Sequence, residues 1–262
     1  MAQWIILAGR RRGGDPVADA AGEPFKALVK VAGVPMLARV LRTIRLADPA
    51  CRVTILLQDP AVFTGRADWA WLTGDPHIRL AASKGSISQS LNQMLEEKTA
   101  AWPVLVTTAD NALLSPATAR LALAATATPG SDLEVAFVPA RLVHARYPGA
   151  RRTFWRFADG GYSTCNLFVL RNPNVLKALD FWAEVEEDRK KVWRIVKRFG
   201  LPILALYSLR LVSLARGLAW GARRLGLSAR PLILDDPDAC IDVDKPADLL
   251  LSERILLARG HG

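Results

Sequence analysis

Short runs of apolar residues recur along the first half of the chain, at 4–8, 53–57, 78–81, 104–108 and 135–138. Each run has the length of one buried strand. Between them, segments 36–45, 88–98 and 116–126 carry apolar residues at helical spacing, and Ser115 before Pro116 is a typical helix start. Strands that alternate with helices predict an α/β fold with three layers, in which helices cover both faces of a mainly parallel, mixed central sheet.

The pattern changes after about residue 139. Segments 151–157 and 166–170 alternate or run apolar like strands, and the turn residues 159–161 join them. A basic stretch with helical spacing follows, and the apolar residues 231–234 predict a last strand before a helix at 246–257. The second half of the chain is therefore less regular than the first.

The first predicted strand runs directly into a loop, residues 9–14, that consists of three glycines and three arginines. Such a loop offers free backbone N–H groups and positive charge at the carboxyl end of a strand, and polyphosphate is the ligand that uses both. The loop lacks the Gly-Lys-Ser/Thr of a Walker A motif and the spacing of the dinucleotide-binding glycines. Asp110 follows the predicted strand 104–108, so we expect it at the same sheet edge, where α/β proteins bind ligands.

Four segments of the chain together resemble one family. They read L-A-G-R-R-R-G at 7–13, F-K-A-L then V-A-G-V-P-M-L at 25–37, T-A-D-N-A-L-L at 108–114 and I-D-V-D-K-P-A-D-L at 241–249. In this order they resemble the MobA-like NTP transferases, nucleotidyltransferases of the GT-A superfamily. The resemblance implies a GT-A, Rossmann-like nucleotidyltransferase fold in one domain over 1–262. Its parts would be a nucleotide-binding half at 1–138, an acceptor-binding lobe at 139–234, and a closing metal loop with a C-terminal helix at 235–262.

The resemblance also implies site residues. Nucleotidyl transfer needs Mg²⁺, charge neutralisation at the leaving pyrophosphate and alignment of the reactants. Asp110 is the leading metal ligand, and Asp244 and then Asp242 follow, because residues two apart on an extended segment share one face. The remaining assignments are Arg11 and Lys26, with Asp110, for catalysis; Leu7, Ala8, Gly9, Gly13, Ser86 and Ser90 for the nucleotide; and Arg151, Arg152 and Asn166 for the acceptor's phosphate and hydroxyls.

Ordinary structural roles compete with several of these assignments. Asp110 lies several residues before the helix at 116, too early to cap it, whereas Asp242 or Asp244 remains a candidate cap for the helix at 246. Helix capping explains Ser86 as well as a nucleotide contact does. Lys26 competes with an exposed lysine at the start of a turn.

Charge is unevenly distributed along the chain, which has a net charge of +10. Between Arg189 and Leu234 there are 11 basic residues and no acidic one. A solvated face, attraction for an anionic substrate and attraction for an anionic membrane all remain open, whereas aromatic residues are not interleaved as in a nucleic-acid stacking platform, so no specific nucleic-acid partner is predicted. The apolar stretch 201–216 contains Arg210 and Arg216, which disfavours a membrane span. It predicts packed helices, or an interfacial helix that makes a peripheral membrane contact through 189–230.

Three cysteines without a C-x-x-C spacing predict buried, reduced thiols, and the first apolar run is too short for a signal peptide. Both observations predict a cytoplasmic protein, with the inner face of the membrane as the alternative location.

The sequence therefore predicts a Mg²⁺-dependent enzyme that transfers NMP from an NTP, CTP or GTP, to a small phosphorylated sugar, polyol or alcohol, with release of pyrophosphate. One alternative is a GT-A glycosyltransferase that uses a nucleotide sugar, because Asp242-Val243-Asp244 forms a D-x-D motif. Another is a nucleotide-binding or membrane-binding relative without catalytic activity.

Overall fold

The strands of the first half form the centre of one mixed sheet. A computed structural model describes residues 3–10, 14–63, 65–83, 87–96, 101–149, 152–187 and 200–260. Its strands are β1 (Gln3–Leu7), β2 (Lys30–Val31), β3 (Val34–Pro35), β4 (Arg52–Leu57), β5 (Ile78–Ala82), β6 (Val104–Thr108), β7 (Leu133–Pro139), β8 (Trp155–Phe157), β9 (Gly160–Leu170) and β10 (Ala229–Ile233).

The helices of the described residues connect these strands. The α-helices are α1 (Pro16–Ala21), α2 (Met36–Ala47), α3 (Ala70–Thr73), α4 (Ile87–Glu96), α5 (Pro116–Ala127), α6 (Ala140–Arg146), α7 (Leu176–Glu187), α8 (Leu201–Ser208), α9 (Leu214–Arg224) and α10 (Pro246–Ala258). Ser115 caps α5 through a hydrogen bond from the backbone N–H of Thr118, as the sequence predicted.

The main sheet has the strand order β10-β7-β9-β6-β1-β4-β5, and β8 pairs with β9. Strands β6, β1, β4 and β5 are parallel, as are β10 and β7, whereas β9 runs antiparallel to both of its neighbours. This arrangement confirms the mainly parallel, mixed sheet. The register pairs Leu7 with Leu56 and with Thr108, so three central strands end at one edge.

Alternate residues of β1 pack into different cores. Trp4 and Ile6 belong to a cluster with apolar residues of α2 and α5, whereas Ile5 packs with residues of α4 and α7. Because successive strand residues point to opposite faces, helices cover both faces of the sheet. The three-layer α/β fold that the sequence predicts is confirmed.

The second half differs from the prediction in its strands. Of the predicted strand 151–157, the described residues form a strand only at Trp155–Phe157. The predicted strand 166–170 is the last part of a strand that begins at Gly160, inside the predicted turn. The long strand forms because its first three residues pair with β8 and its residues from Tyr162 onward pair with β7. Pairing with β8 thus places Gly160 and Gly161 in the strand, and the turn between β8 and β9 lies at residues 158–159.

The apolar stretch that begins at 201 forms α8 and α9. Helix α9 packs through Ala222 against Ala229 of β10, as expected for a packed helix. Among the described residues, no helix is both long and apolar enough to span a membrane. The three cysteines Cys51, Cys165 and Cys240 are buried free thiols, as predicted.

Candidate active site

Lys26 is the first residue of a short 3₁₀ turn, Lys26–Leu28. The other two residues of this turn, Ala27 and Leu28, are buried. Its Nζ atom donates to Oδ2 of Asp110 at 2.6 Å and to Oδ1 of Asp244 at 2.9 Å. Oδ2 of Asp15, which caps α1, lies 4.0 Å away. The structure therefore brings together one cation and two carboxylates that the sequence placed in three separate motifs. Asp15 is a third carboxylate beside this cation that sequence reasoning did not select.

Asp110 lies two residues after the end of β6, at the carboxyl edge of the sheet. The N–H of Ala109 donates to the carbonyl of Leu7 at 2.9 Å, and the carbonyl of Asp110 accepts from the N–H of Val243 at 3.2 Å. Backbone bonds therefore fix Asp110 beside both the end of β1 and the segment that carries Asp244. Ser115 caps the following helix, so Asp110 is free of that role.

The helix α10 is capped without either candidate carboxylate of the 242–244 segment. Lys245 is its N-cap residue, and the side chain of Asp248 accepts from the backbone N–H of Lys245 at 3.0 Å and of Asp244 at 3.3 Å. The competing assignment of Asp242 or Asp244 as the helix cap is therefore wrong. Asp248 fills the role because it sits three residues into the helix, where a carboxylate can reach back.

Arg152 and Asn166, predicted to bind the acceptor, both contact Asp242. Arg152 donates through Nη1 to Asp242 at 3.1 Å and through Nη2 to Asp248 at 3.2 Å. Nδ2 of Asn166 lies 3.3 Å from the other oxygen of Asp242. Asp242 and Asp244 thus face different partners: one is held by Arg152 and Asn166, the other by Lys26.

The charges of this cluster perturb two of its members. Burial raises the pKa of Asp242, and the nearby charges of Asp244 and Asp110 raise it further. Burial alone would lower the pKa of Lys26, but attraction and hydrogen bonds from Asp110 and Asp244 outweigh this effect and raise it above 10.5. The carboxylates therefore favour an additional positive charge, and Lys26 stays protonated near neutral pH.

The loop after β1 is held by a residue that sequence reasoning missed. Gln58, just after β4, accepts from the N–H of Arg10 and donates to its carbonyl, both at 2.8 Å. A Cβ on Gly9 would lie 3.1 Å from the Gln58 amide nitrogen, so Gly9 lets the loop approach this side chain. Half-buried Leu7 ends β1, and buried Ala8 donates to the carbonyl of Leu56 at 2.8 Å. The available signal for Gln58 was its place after a strand that ends at the site.

The chain matches a known protein family over most of its length. Residues 5–225 match the family described as "MobA-like NTP transferase domain". The chain belongs to this family. No curated protein matches the chain significantly.

Solved structures share the fold of this MobA-like chain. A structure described as a hypothetical transferase from Thermus thermophilus is 29% identical, with a TM-score of 0.76, and the alignment covers 95% of this chain and 99% of that chain. CMP:2-keto-3-deoxy-manno-octonic acid synthetase complexed with CTP has 15% identity and a TM-score of 0.61 over 99% and 100% of the two chains. A nucleotidyl transferase from Methanothermobacter thermautotrophicus has 14% identity and a TM-score of 0.57 over 99% of both chains.

Two carboxylates of this MobA-like domain fit a divalent cation whose remaining ligands would be phosphate oxygens and water. Within the described ranges, no three acidic, histidine or cysteine side chains are placed to enclose a metal ion by themselves. Mg²⁺ does not need such a cage, since it commonly takes one or two carboxylates, phosphate oxygens and water. Oxygens of Asp110 and Asp244 contact the same nitrogen atom of Lys26, so they are spaced to share one cation.

Ser90 of the MobA-like domain is buried on α4, and its hydroxyl lies 2.9 Å from that of Ser83 at the end of β5. Its predicted contact with the nucleotide stays a prediction. Four other predicted site residues, Arg11, Gly13, Ser86 and Arg151, lie outside the described residues, as does the segment 189–199 of the basic stretch.

Proposed function

We propose that this protein is a Mg²⁺-dependent nucleotidyltransferase that transfers NMP from an NTP to a small phosphorylated acceptor and releases pyrophosphate. The observation that carries the proposal is the ammonium of Lys26 between Asp110 and Asp244, at the carboxyl edge of the sheet where β1 and β6 end. Membership in the MobA-like family supports the reaction class. A structural neighbour that holds CTP supports an NTP as the substrate, with CTP or GTP as our first candidates.

The reaction is an in-line substitution at the α-phosphorus of the NTP. An oxygen of the acceptor phosphate forms the new P–O bond, the bond to the bridging oxygen of the β-phosphate breaks, and pyrophosphate takes the electron pair. A phosphate monoester is largely dianionic at neutral pH, so its oxygen needs no general base. The three histidines of the chain accordingly have no required part in the chemistry.

Residues of the chain would then neutralise and align the reactants. Asp110 and Asp244 would hold Mg²⁺, which supplies charge neutralisation at the phosphates when bound. Lys26 would exchange its carboxylate partners for oxygens of the β- and γ-phosphates and stabilise the leaving group, together with Arg11. Asp242 would be a further ligand of Mg²⁺, and its contacts with Arg152 and Asn166 would orient it.

The acceptor would approach from the side of Arg152 and Asn166. Arg152 lies in the segment before β8 and Asn166 lies on β9, and both side chains contact the 242–248 segment. A guanidinium suits phosphate oxygens, and an amide suits hydroxyl groups. These residue types favour a phosphorylated sugar, polyol or alcohol as the acceptor.

A pyrophosphate-release assay tests the proposal. Each of the four NTPs is incubated with Mg²⁺ and a panel of phosphorylated sugars, polyols and alcohols, using wild type, Asp110→Asn and the control Asp68→Asn. Asp68 is a suitable control because its side chain is 62% exposed and pairs only with Arg66 among the described residues. We expect one NTP and acceptor pair to release pyrophosphate, about 100-fold or more slowly in Asp110→Asn, with the control unchanged.

Two results would contradict the proposal. Release of a nucleoside diphosphate from a nucleotide sugar, without pyrophosphate from any NTP, would assign the chain to the glycosyltransferases. Equal turnover by wild type and Asp110→Asn would show that the carboxylate cluster is not required for the reaction.

A further inference from the structure

The helix α8 is apolar on every side, and its described side chains are half-buried or exposed. Its sequence, Leu-Pro-Ile-Leu-Ala-Leu-Tyr-Ser, contains no charged residue, and none of residues 202–208 is buried. A helix that is hydrophobic all round is ordinarily found in a protein core or in lipid. At eight residues this one is too short to cross a bilayer.

Helix α8 ends in a turn that exposes two leucines with an arginine between them. Leu209 and Leu211 are 67% and 65% exposed. The N–H of Arg210 donates to the carbonyl of Tyr207 at 2.9 Å, and that of Leu211 donates to the carbonyl of Leu206 at 2.8 Å, which is the Schellman pattern of a helix end.

Arg210 occupies the left-handed position of this turn, with a φ of 55°. Glycine is the residue that this position ordinarily favours, because a side chain there is strained. The chain thus holds an arginine between two exposed leucines against the local backbone preference. A function for the charge would explain its presence.

Aromatic residues extend this apolar surface onto β8. The ring of Trp155, which is 48% exposed, lies 6.3 Å from that of Tyr207, and the ring of Phe157 lies 5.3 Å from it. The N–H of Ala158 donates to the carbonyl of Val212 at 2.9 Å, so the two segments lie side by side. We call the surface formed by α8, Leu209, Arg210, Leu211 and Trp155 the α8 surface.

The charged residues of the turn after α8 and of α9 are all positive. Arg210, Arg216, Arg223 and Arg224 are exposed, and within the part of the chain that the structure describes none of them forms an ion pair. Between Arg189 and Leu234 the sequence has no acidic residue. The nearby carboxylate of Asp159 is engaged, because it accepts from the N–H of Leu214 at 3.0 Å.

We propose that the α8 surface docks onto the interface of a membrane that contains anionic lipid. Leucine side chains enter the boundary of the acyl chains, tryptophan and tyrosine occupy the headgroup level, and arginines contact lipid phosphates while their stems lie along apolar surface. A second copy of the chain is a poorer fit, since an isologous contact would bring together two copies of a surface whose charge, Arg210, is positive in both. Nucleic acid is also a poorer fit, because it offers no apolar phase to the exposed leucines.

The α8 surface also lies close to the candidate active site along the chain. Trp155 follows Arg152, the residue that contacts Asp242 and Asp248, by three positions. Three residues span at most about 11 Å even when fully extended. A membrane that contacts Trp155 would therefore lie beside the acceptor end of the site, although the docking does not depend on the proposed reaction.

Vesicle sedimentation with the full-length protein tests the docking. Vesicles of phosphatidylcholine alone are compared with vesicles that also contain phosphatidylglycerol, at low and high salt. We expect binding to the anionic vesicles only, weakened by salt. The double variant Leu209→Glu/Leu211→Glu should bind at least about tenfold more weakly. The matched control Leu250→Glu/Leu257→Glu changes two leucines of α10 that are 59% and 61% exposed, and it should bind like wild type.

Arg210→Gly separates docking from folding. It removes the charge and also relieves the left-handed backbone, so we expect a protein at least as stable as wild type that partitions about fivefold more weakly. Arg210→Lys should bind like wild type.

Three outcomes would overturn the inference. Wild type could bind equally to vesicles of phosphatidylcholine alone, or Leu209→Glu/Leu211→Glu could bind as well as wild type. In the third outcome, light scattering shows a wild-type dimer that this variant dissociates, and wild type does not sediment with vesicles. The last outcome would assign the α8 surface to a second copy of the chain.

Discussion

The Nζ atom of Lys26 lies 2.6 Å from Oδ2 of Asp110, although 84 residues separate them in the sequence. Both side chains are largely buried, with 12% and 13% of their surface exposed. A buried ion pair is costly unless its charges are well compensated. Here the second carboxylate, Asp244, also contacts Nζ of Lys26, at 2.9 Å, and adds to this compensation.

Replacement of Lys26 by Met should abolish most of the activity. Methionine keeps the apolar stem but removes the charge at the leaving group, so we expect kcat/KM for pyrophosphate release to fall about 100-fold or more. The control Lys30→Met changes an exposed lysine four positions away and should have no effect. Activity of Lys26→Met within about twofold of wild type would contradict the role.

Gly9 and Gln58 should be energetically coupled. A Cβ at position 9 would meet the Gln58 amide at 3.1 Å, so Gly9→Ala should displace this side chain, release Arg10 and raise the KM for the NTP about tenfold. Gln58→Ala alone should raise the KM similarly, and adding Gly9→Ala to it should cost little more. Steady-state kinetics of the four proteins measure the coupling. Gly149→Ala is the control, because a Cβ there meets nothing; additive effects would exclude the clash.

Arg152 should act on the metal through Asp242. Arg152→Gln removes the two contacts to Asp242 and Asp248, and we expect the Mg²⁺ concentration for half-maximal activity to rise about 10–100-fold. Arg152→Lys should be intermediate, because one ammonium cannot span both carboxylates as a guanidinium does. An unchanged Mg²⁺ requirement, with only the KM for the acceptor raised, would exclude an action through Asp242 and leave Arg152 its proposed contact with the acceptor alone.

Asp132 should contribute stability that is lost in acid. Burial alone would raise the pKa of Asp132, but hydrogen bonds from Asn172 and Ser228 lower it to about 2, against a usual 3.8. A carboxylate with a depressed pKa in the folded state stabilises the fold above its unfolded pKa, and this contribution disappears as the pH falls through the folded pKa. We expect Asp132→Asn to lower the free energy of unfolding by about 1–3 kcal/mol at neutral pH.

Urea unfolding of wild type and Asp132→Asn measures this effect. The difference in free energy should stay constant down to pH 3.8 and shrink as the pH falls towards about 2. Asp68→Asn, at an exposed position, should change the stability by less than about 0.5 kcal/mol. A difference that does not vary with pH would assign the loss to packing rather than to charge.

Local patterns predicted the strands of the first half closely. The predicted strand 104–108 has the observed bounds of β6, and the other four differ by one or two residues at their ends. A buried parallel strand is a continuous apolar run, so its signal lies within the segment itself. The edge at which Asp110 lies followed from strand direction alone, without knowledge of contacts.

Contacts across the chain were beyond such patterns. The bond between Arg152 and Asp242 joins residues 90 positions apart, and nothing local marks either residue as a partner of the other. Gln58 follows its strand like many surface residues, and its role depends on where Arg10 passes. The extension of β9 back to Gly160 likewise depends on its pairing with β8.

The backbone bond between Val243 and Asp110 has a consequence for biosynthesis. The ribosome synthesises the chain from its amino terminus, and more than half of all residues lie between Asp110 and Val243. The loop after β6 therefore has no partner segment until those residues have been synthesised. Until then Lys26 lacks Asp244, and we expect the nascent polypeptide to remain without turnover until translation has passed this segment.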